Sequence, residues 1–276
     1  MKRLLPILLA LLVLPACGGF QAESPELVIF AASSLQEVLT EIGERYQRDR
    51  PNVTMVFHFD SSGTLKTQIA EGAACDLFIS AGQTQMDDLD ASVAPATDAD
   101  NPGLDAGGGL DFVLSDTRVD LLENQVVLAV PEGNPAGIHS FDQLDAALNA
   151  GDILLAIGNS DVPVGQYTQK ILAHYGLEEA ALNAAGVLTY GSNVREVTTQ
   201  VAEGTVDCGI IYATDARSAG VEIVDAATAD MCGQVLYPAA VMTAGTNQSG
   251  ARDFLAFLRT EEAAEVFAQA GFTPLE

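Results

Sequence analysis

The chain has 276 residues, of which 48% are hydrophobic and 18% are charged. These values are typical of a globular protein with one large or two medium domains, and they exclude a disordered chain. The net charge of −26 excludes nucleic acid as a partner, because so acidic a surface repels phosphates. The same charge cannot attract an anion over a long range, so an anion would have to be bound by local hydrogen-bond donors.

Residues 1–17 have the features of an export signal. Two basic residues precede an apolar run over residues 4–14, which is too short to span a bilayer as a stable helix. The run ends in Leu14-Pro15-Ala16-Cys17, which resembles the lipobox of bacterial lipoproteins. The resemblance implies cleavage before Cys17 and lipidation of its thiol, which would anchor an exported protein in the periplasm or at the outer face of the cytoplasmic membrane. Ordinary secretion with cleavage near Ala22 is the alternative.

Short apolar and β-branched runs alternate with helical patterns through the rest of the chain. Such alternation predicts an α/β fold built from right-handed βαβ units around largely parallel sheets. The predicted strands are Leu27–Ala32, Val53–Phe59, Asp76–Ser80, Gln125–Val130, Ile153–Ile157, Cys208–Tyr212, Val221–Val224 and Val235–Val241.

Small polar residues stand at four of the strand–helix junctions: AASSLQEVL, DSSGTLKTQI, VPVGQYTQKIL and GSNVREVTTQV. The first turn of a helix has backbone N–H groups without intrahelical partners, and the helix dipole makes that end positive. Several such junctions around one cleft would therefore hold an oxyanion without a basic side chain. Ser34 with Glu37, and Asn193 with Glu196, also fit capping boxes. On spacing alone, Ser34, Ser62 and Asn193 could be helix caps and nothing more.

No catalytic or metal-binding motif is found in the sequence. It has no G-x-S-x-G, no P-loop motif, no G-x-G-x-x-G and no H-E-x-x-H, and its histidines, His58, His139 and His174, are scattered. The absence of C-x-x-C argues against a zinc site. We therefore expect neither an enzyme nor a bound metal cation. The stretch Asp98–Asp111 is rich in Asp and Gly without periodicity, and we expect an exposed loop insertion there.

The chain has four cysteines. With Cys17 lipidated, three remain, which is an odd number in an oxidising compartment. Because Cys208 and Cys232 both lie in the later half of the chain, we expect a disulfide between them. Cys75 is then expected to be free and buried.

Six segments carry a family resemblance. They are IFAASSLQEVL, FHFDSSGTLKTQIAEGAACDLFISAGQTQMDDL, DVPVGQYTQKIL, SNVREV, GIIYATDA and LYPAAV. Together, in this order, they resemble the molybdate-binding component of bacterial ABC importers over nearly the whole chain after the signal. The resemblance implies a two-lobed periplasmic-binding-protein fold of type II, in which each lobe is a mixed sheet flanked by helices and crossing hinge strands join the lobes. The expected boundaries are 1–17 for the signal peptide with lipobox, 18–26 for a tether, 27–124 with 239–276 for lobe 1, and 125–238 for lobe 2.

The same resemblance implies what the protein binds. A monomer without a cofactor would capture molybdate or tungstate between the lobes and deliver it to the membrane permease of an ABC importer. The implied ligand contacts are Ser34 and Ser62 from lobe 1, and Val164, Val194 and Tyr212 from lobe 2. The serines can donate from hydroxyl and backbone, the valines at helix starts donate backbone N–H only, and the tyrosine donates its phenol.

Other ligands remain open on the same fold. A fully deprotonated dianion only accepts hydrogen bonds, whereas phosphate keeps a proton near neutral pH and benefits from an acceptor. A receptor for sulfate, phosphate or a ferric complex is the alternative, and a phosphate site would gain from an inward-facing Asp60 or Asp161. We expect both carboxylates to face solvent, and Arg195 to pair with a neighbouring carboxylate. An extracytoplasmic enzyme on the two-lobed scaffold is the alternative from another class.

Overall fold

The computed structural model of the protein describes residues 26–93 and 110–275. The expected signal peptide with Cys17, nearly all of the tether and most of the Asp98–Asp111 stretch lie outside these residues. The strands of the described part are β1 Leu27–Ala32, β2 Met55–Asp60, β3 Leu77–Ile79, β4 Val119–Asn124, β5 Val126–Val130, β6 Leu155–Gly158, β7 Leu188–Gly191, β8 Cys208–Tyr212, β9 Glu222–Ala226, β10 Val235–Val241 and β11 Thr273–Pro274. Its α-helices are α1 Gln36–Asp49, α2 Ser62–Ala70, α3 Gln83–Asp87, α4 Phe141–Ala150, α5 Pro163–His174, α6 Glu179–Ala185, α7 Val194–Ala202, α8 Ala213–Ala219, α9 Ala229–Cys232, α10 Gln248–Leu258 and α11 Glu261–Ala270.

Lobe 1 is built on a six-stranded mixed sheet with the strand order β11-β4-β10-β3-β1-β2. β1 is parallel to β2 and β3, whereas β10 is antiparallel to β3 and β4. The sequence of β1, LVIFAA, is almost entirely buried, as expected for a strand covered on both faces. α1 packs into the same core through an apolar stripe at helical spacing, which includes Val38, Leu39, Ile42 and Tyr46.

Lobe 2 is built on a five-stranded mixed sheet with the order β7-β6-β8-β5-β9. β6 is parallel to β7 and β8, and β5 is antiparallel to β8 and β9. Helix α5 follows β6, α7 follows β7 and α8 follows β8. Because these three strands are parallel, their carboxyl ends bring three helix starts to one edge of the sheet. The predicted fold, two lobes that each contain a mixed sheet with flanking helices, is confirmed.

The chain crosses between the lobes twice. The first crossing is the step from β4, which ends at Asn124, to β5, which begins at Val126. The second crossing leads from α9, which ends at Cys232, to β10 of lobe 1. The expected second boundary, after residue 238, falls inside β10, whose residues pair with β4 from Val235 onward.

The eight strands predicted from the sequence all have counterparts, shifted by up to two residues at their ends. β4, β7 and β11 were not predicted. β7 has only the sequence LTYG and β11 has two residues, which is too short for a recognisable pattern. β4 ends in the polar pair Glu123-Asn124, which hides its strand character.

Two of the predicted helix caps differ from the structure. α1 begins at Gln36 with Leu35 as its N-cap, and Ser34 lies in the preceding 3₁₀ helix Ser33–Leu35, where it caps nothing. Ser62 is the first residue of α2, and the cap is Ser61, whose Oγ accepts the backbone N–H of Thr64 at 3.1 Å. The caps-only interpretation of Ser34 and Ser62 is therefore wrong.

The predicted cap at Asn193 is confirmed. Its Oδ1 accepts the N–H of Glu196 at 3.1 Å at the start of α7. The Glu196 carboxylate accepts the N–H of Ser192 at 2.7 Å, one residue earlier than a capping box requires.

The expected Cys208–Cys232 disulfide is wrong. Cys75, Cys208 and Cys232 are all free and buried, so only the expectation for Cys75 is confirmed. Cys208 begins β8, whereas Cys232 lines a cavity together with Ala213, which follows the other end of that strand. A place in the same half of the sequence does not bring two cysteines within the ~7 Å between Cα atoms that a disulfide requires.

No helix within residues 26–93 and 110–275 combines the length and the apolar character needed to cross a bilayer.

Candidate functional site

A small cavity lies between the two lobes, at the edge where the helices of both sheets begin. Its volume, measured for the centre of a water-sized sphere, is about 10 Å³, which is room for about one small group and far too little for an organic ligand. All five residues named from the sequence line this cavity. The complete lining is Ala32, Ser33, Ser34, Asp60, Ser61, Ser62, Ala81, Val162, Pro163, Val164, Val194 and Tyr212.

Lobe 1 contributes two buried serine hydroxyls. Ser34 follows β1 and is 7% exposed, and its Oγ lies 3.0 Å from the phenol oxygen of Tyr237. Ser62 follows β2 by two residues and is fully buried, and its Oγ accepts the backbone N–H of Ala81 at 3.0 Å. Because that contact uses a lone pair of Ser62, the hydroxyl proton is left for a second partner.

Lobe 2 contributes two helix starts. Val164 is the second residue of α5, whose first position is Pro163, and Val194 is the first residue of α7. The N–H groups of a first helical turn have no intrahelical acceptor. Proline at the first position is preorganised for the helix and loses no useful donor there. Both valine side chains are buried, so their contribution to a ligand is the backbone N–H.

Tyr212 ends β8 and places a phenol between the lobes. Its Oη lies 3.5 Å from the backbone oxygen of Ala81, which belongs to lobe 1. Complete burial raises the pKa of Tyr212 well above its usual value, with the neighbouring Tyr237 adding to the effect. The phenol therefore stays protonated and acts as a hydrogen-bond donor.

The described cavity lining contains no Lys, Arg or His. Its one acidic residue is Asp60, which is half-buried and whose Oδ1 accepts the N–H of Ser61 at 2.7 Å. Asp161 is exposed and does not line the cavity. The expectation that both carboxylates face solvent is thus confirmed for Asp161 and wrong for Asp60.

The lobes touch each other around the cavity. Gln85 of α3 donates from Nε2 to Oε1 of Gln166 in α5 at 3.0 Å. Arg195 of lobe 2 forms an exposed ion pair with Glu37 of lobe 1, which confirms the expected pairing of Arg195 with a carboxylate. The structure is therefore in a closed conformation.

Gly63 of α2 lies close against lobe 2. A methyl group on this glycine would lie 2.1 Å from the backbone oxygen of Asp161 in lobe 2. No carbon atom can approach a backbone oxygen that closely, so only glycine allows this degree of closure.

A buried carboxyl lies in the first turn of α8, the helix that begins directly after Tyr212. Asp215 of α8 is 6% exposed, and its Oδ2 has no hydrogen-bond partner among the described residues. Burial raises its pKa to about 7, and Arg195 opposes the shift while Glu37 adds to it.

Sequence reasoning missed several lining residues and the second layer. Ala81 and Val162 have no polar side chain that a sequence pattern could single out. Ser61 was not predicted because the neighbouring Ser62 was assigned as the lining serine of that junction. Tyr237 and Asn124, which stand behind Ser34, come from the two crossing strands and are far apart in sequence. Only the pairing of β4 with β10 in the structure brings these two residues together.

Comparison with known proteins places this architecture in a family. The family model of the bacterial extracellular solute-binding proteins matches residues 27–273. The chain belongs to this family. It is a family of solute-binding proteins.

Relatives of this solute-binding protein are similar over their full length. The molybdate-binding protein ModA of Haemophilus influenzae is 31% identical, with 99% of both chains covered. YvgL of Bacillus subtilis, provisionally named an ABC transporter substrate-binding lipoprotein, is 32% identical, with 96% of this chain and 95% of YvgL covered. Among solved structures, the periplasmic molybdate-binding protein of Azotobacter vinelandii aligns with a TM-score of 0.71 at 20% identity, covering 91% of this chain and all of that one. The last similarity shows the fold.

Proposed function

We propose that this protein is the substrate-binding component of a molybdate ABC importer. In this role, Ser34, Ser62, Val164, Val194 and Tyr212 hold the oxyanion between the lobes through neutral donors. Tungstate, which has the same charge and shape, binds to the same donors. The names of the relatives support molybdate as the ligand class.

The observation that carries the proposal is the composition of the interlobe cavity. Donors from both lobes surround it, and its described lining has no basic side chain. A chain with a net charge of −26 gains nothing from long-range attraction of an anion, so binding must come from short-range donors. A fully deprotonated dianion matches this arrangement, because it offers only acceptors.

Affinity and closure follow from the same contacts. Each charge-assisted hydrogen bond contributes about 1.5–3 kcal/mol, so five of them contribute about 7.5–15 kcal/mol, a range that spans the ~8–11 kcal/mol of a micromolar to tens-of-nanomolar ligand. Contributions in the upper part of this range also offset dehydration of the anion and ordering of the lobes. Because the anion touches both lobes only when they meet, it binds the closed state more tightly and shifts the population toward it. The closed pair of lobes is then the form that the permease recognises.

The proposed setting is the outer face of the cytoplasmic membrane. The lipobox-like motif at Cys17 supports lipid anchoring, and the lipoprotein name of YvgL points the same way. The protein would act there as a monomer without a cofactor, tethered by residues 18–26.

Asp60 favours a second candidate, a receptor for hydrogen phosphate. Its carboxylate lines the cavity, and a proton-bearing oxyanion could donate to it. One oxygen of Asp60 already accepts the N–H of Ser61, which reduces its capacity for a ligand. Molybdate is therefore the better match, and hydrogen phosphate is the competitor to test.

Thermal unfolding with a panel of oxyanions tests the proposal. Molybdate and tungstate should each raise the melting temperature in a concentration-dependent way, because a ligand that binds only the folded state stabilises it. Sulfate and phosphate at the same concentrations should not. A shift with phosphate alone would replace molybdate by the second candidate, and no shift with any of the four would refute both.

A further inference from the structure

The hydroxyl of Ser34 can present either a proton or a lone pair to the cavity. Only the proton suits a fully deprotonated oxyanion. Which of the two faces the cavity is decided by the other partner of Ser34, the phenol of Tyr237 at 3.0 Å. This pair alone does not fix which of the two oxygens donates, because a hydroxyl and a phenol can each donate or accept.

The carboxamide of Asn124 fixes the direction. Its Oδ1 accepts the backbone N–H of Gln125 at 2.8 Å, and because a backbone N–H can only donate, the oxygen must lie on that side. The Nδ2 group therefore faces the opposite side, where it donates to Tyr237 Oη at 3.1 Å and to Thr214 Oγ1 at 2.9 Å.

The phenol proton of Tyr237 has Ser34 as its acceptor. Its oxygen accepts from Asn124, so its own O–H donates to Ser34 Oγ. Burial raises the pKa of Tyr237 well above its usual value, which keeps that proton on the phenol. Ser34 then acts as the acceptor in this contact, and its hydroxyl proton remains for the cavity.

We call the chain of hydrogen bonds from Asn124 through Tyr237 to Ser34 the relay. Its first two residues lie in the hinge and outside the cavity. Asn124 ends β4 at the first crossing, and Tyr237 lies on β10, which receives the second crossing. Tyr237 is fully buried and Asn124 is 9% exposed, and neither lines the cavity. Their effect on a ligand must therefore pass through Ser34.

We infer that Asn124 and Tyr237 are positioning residues that orient the Ser34 hydroxyl as a donor toward the bound oxyanion. This inference rests on the proposed function and deepens it. A Ser34 that only donates favours a fully deprotonated ion such as molybdate over a proton-bearing ion such as hydrogen phosphate, because the proton of the latter finds no acceptor at this contact.

A double-mutant cycle on the full chain tests the inference. Titration calorimetry with molybdate would compare the wild type, Tyr237→Phe, Ser34→Ala and the double variant. We expect Tyr237→Phe to weaken binding by about 3- to 10-fold in the wild-type background. In the Ser34→Ala background, Tyr237→Phe should change the affinity by less than about 2-fold. An equal loss in both backgrounds, or no loss in either, would overturn the inference.

Tyr167→Phe is the matched control. Tyr167 is also a buried tyrosine, its ring centre lies 6.4 Å from that of Tyr212, and it is not part of the relay. This variant should leave the molybdate affinity and the effect of Ser34→Ala unchanged. Melting temperatures without ligand would separate loss of folding from loss of binding.

Asn124→Asp provides a second readout that a purely structural role would not move. An aspartate can still accept the Gln125 N–H, but its other oxygen would accept the Tyr237 proton and reverse the relay. Ser34 would then present a lone pair, so the ratio of phosphate to sulfate affinity should rise. Sulfate controls for the added negative charge, because both ligands are anions that the charge repels. A fall or no change in this ratio would contradict the inference.

The two levels of the account fail separately. A wild-type protein that binds no molybdate refutes the proposed function. If that protein also prefers phosphate, the donor role of Ser34 is refuted as well. A wild-type protein that binds molybdate while the cycle is additive refutes the relay alone.

Discussion

The substitution Gly63→Ala probes lobe closure without touching a ligand donor. Gly63 is the second residue of α2, and its Cβ position faces the backbone oxygen of Asp161 across the cleft at 2.1 Å. Alanine is the better helix former by up to ~1 kcal/mol, so the open, ligand-free protein should be as stable as the wild type or slightly more stable. The closed state, by contrast, must rearrange to admit the methyl group.

The magnitude follows from the geometry of the contact. Ordinary van der Waals contact begins at 3.4 Å, so the 2.1 Å approach forces the lobes about 1.3 Å apart at this point. Hydrogen bonds to an anion near ~2.8 Å would lengthen to ~4 Å and be lost on one side. Losing the equivalent of one or two charge-assisted bonds costs about 2–4 kcal/mol, which corresponds to a ~30- to 1000-fold weaker affinity.

The assay is titration calorimetry with molybdate, combined with thermal unfolding of the ligand-free protein. Gln68→Ala, a helix-favouring change later in the same helix, is the matched control and should leave binding unchanged. Small-angle scattering with saturating molybdate should show Gly63→Ala in a more open form than the wild type. If Gly63→Ala binds molybdate within 2-fold of the wild type, the reasoning that closure brings the donors together is refuted.

Three further predictions follow from the site and its surroundings. Ser62→Ala should weaken molybdate binding by ~10- to 100-fold in calorimetry, because it removes a donor and leaves the Ala81 N–H unpaired; an unchanged affinity would show that this hydroxyl does not contact the anion. Burial raises the pKa of Asp215 to about 7, so the folded state binds this proton more tightly than the unfolded state does. The resulting contribution to the free energy of unfolding is complete below about pH 4 and is lost as the pH rises toward 7. Asp215→Asn should remove that loss and raise the free energy of unfolding above pH 7 by at most ~4 kcal/mol, with no gain near pH 4, as urea titrations at both pH values would show; an equal gain at both would contradict the assignment. Glu37→Gln breaks an exposed ion pair between the lobes and should weaken molybdate binding by less than ~3-fold, since exposed pairs contribute little; a larger loss would give Arg195 a role in binding.

Much of the fold was predictable because the spacing of apolar residues along the chain indicates which face of each strand or helix is buried. The stretch of β1 followed by the apolar stripe of α1 indicates a buried strand and an amphipathic helix, and the structure has both. β4 and β10 gave no comparable signal for the hinge, because which lobe a strand joins depends on pairing between residues over a hundred positions apart. The boundary at 238 and the disulfide failed for the same reason: sequence order does not give distance in space.

The site was predictable to the extent that strand–helix junctions converge. Ser62, Val164 and Val194 stand at helix starts in the structure, as the junction pattern indicates. Ser34 reaches the same cavity from a 3₁₀ turn, which a capping pattern cannot distinguish from a helix start. The inward position of Asp60 could not be read from the sequence, because a residue at the end of a strand can face either side of the sheet.

The central claim is that neutral donors from two facing lobes hold a dianion on a highly acidic protein. Molybdate titrations at low salt and at ~0.2 M salt test it most directly, since screening acts in opposite directions on attractive and repulsive charge. Molybdate should bind one ion per chain with an affinity that is unchanged or higher at the higher salt, because only the repulsion from the acidic surface is screened. No binding, or an affinity that falls steeply with salt as it would at a site built on cations, would contradict the account.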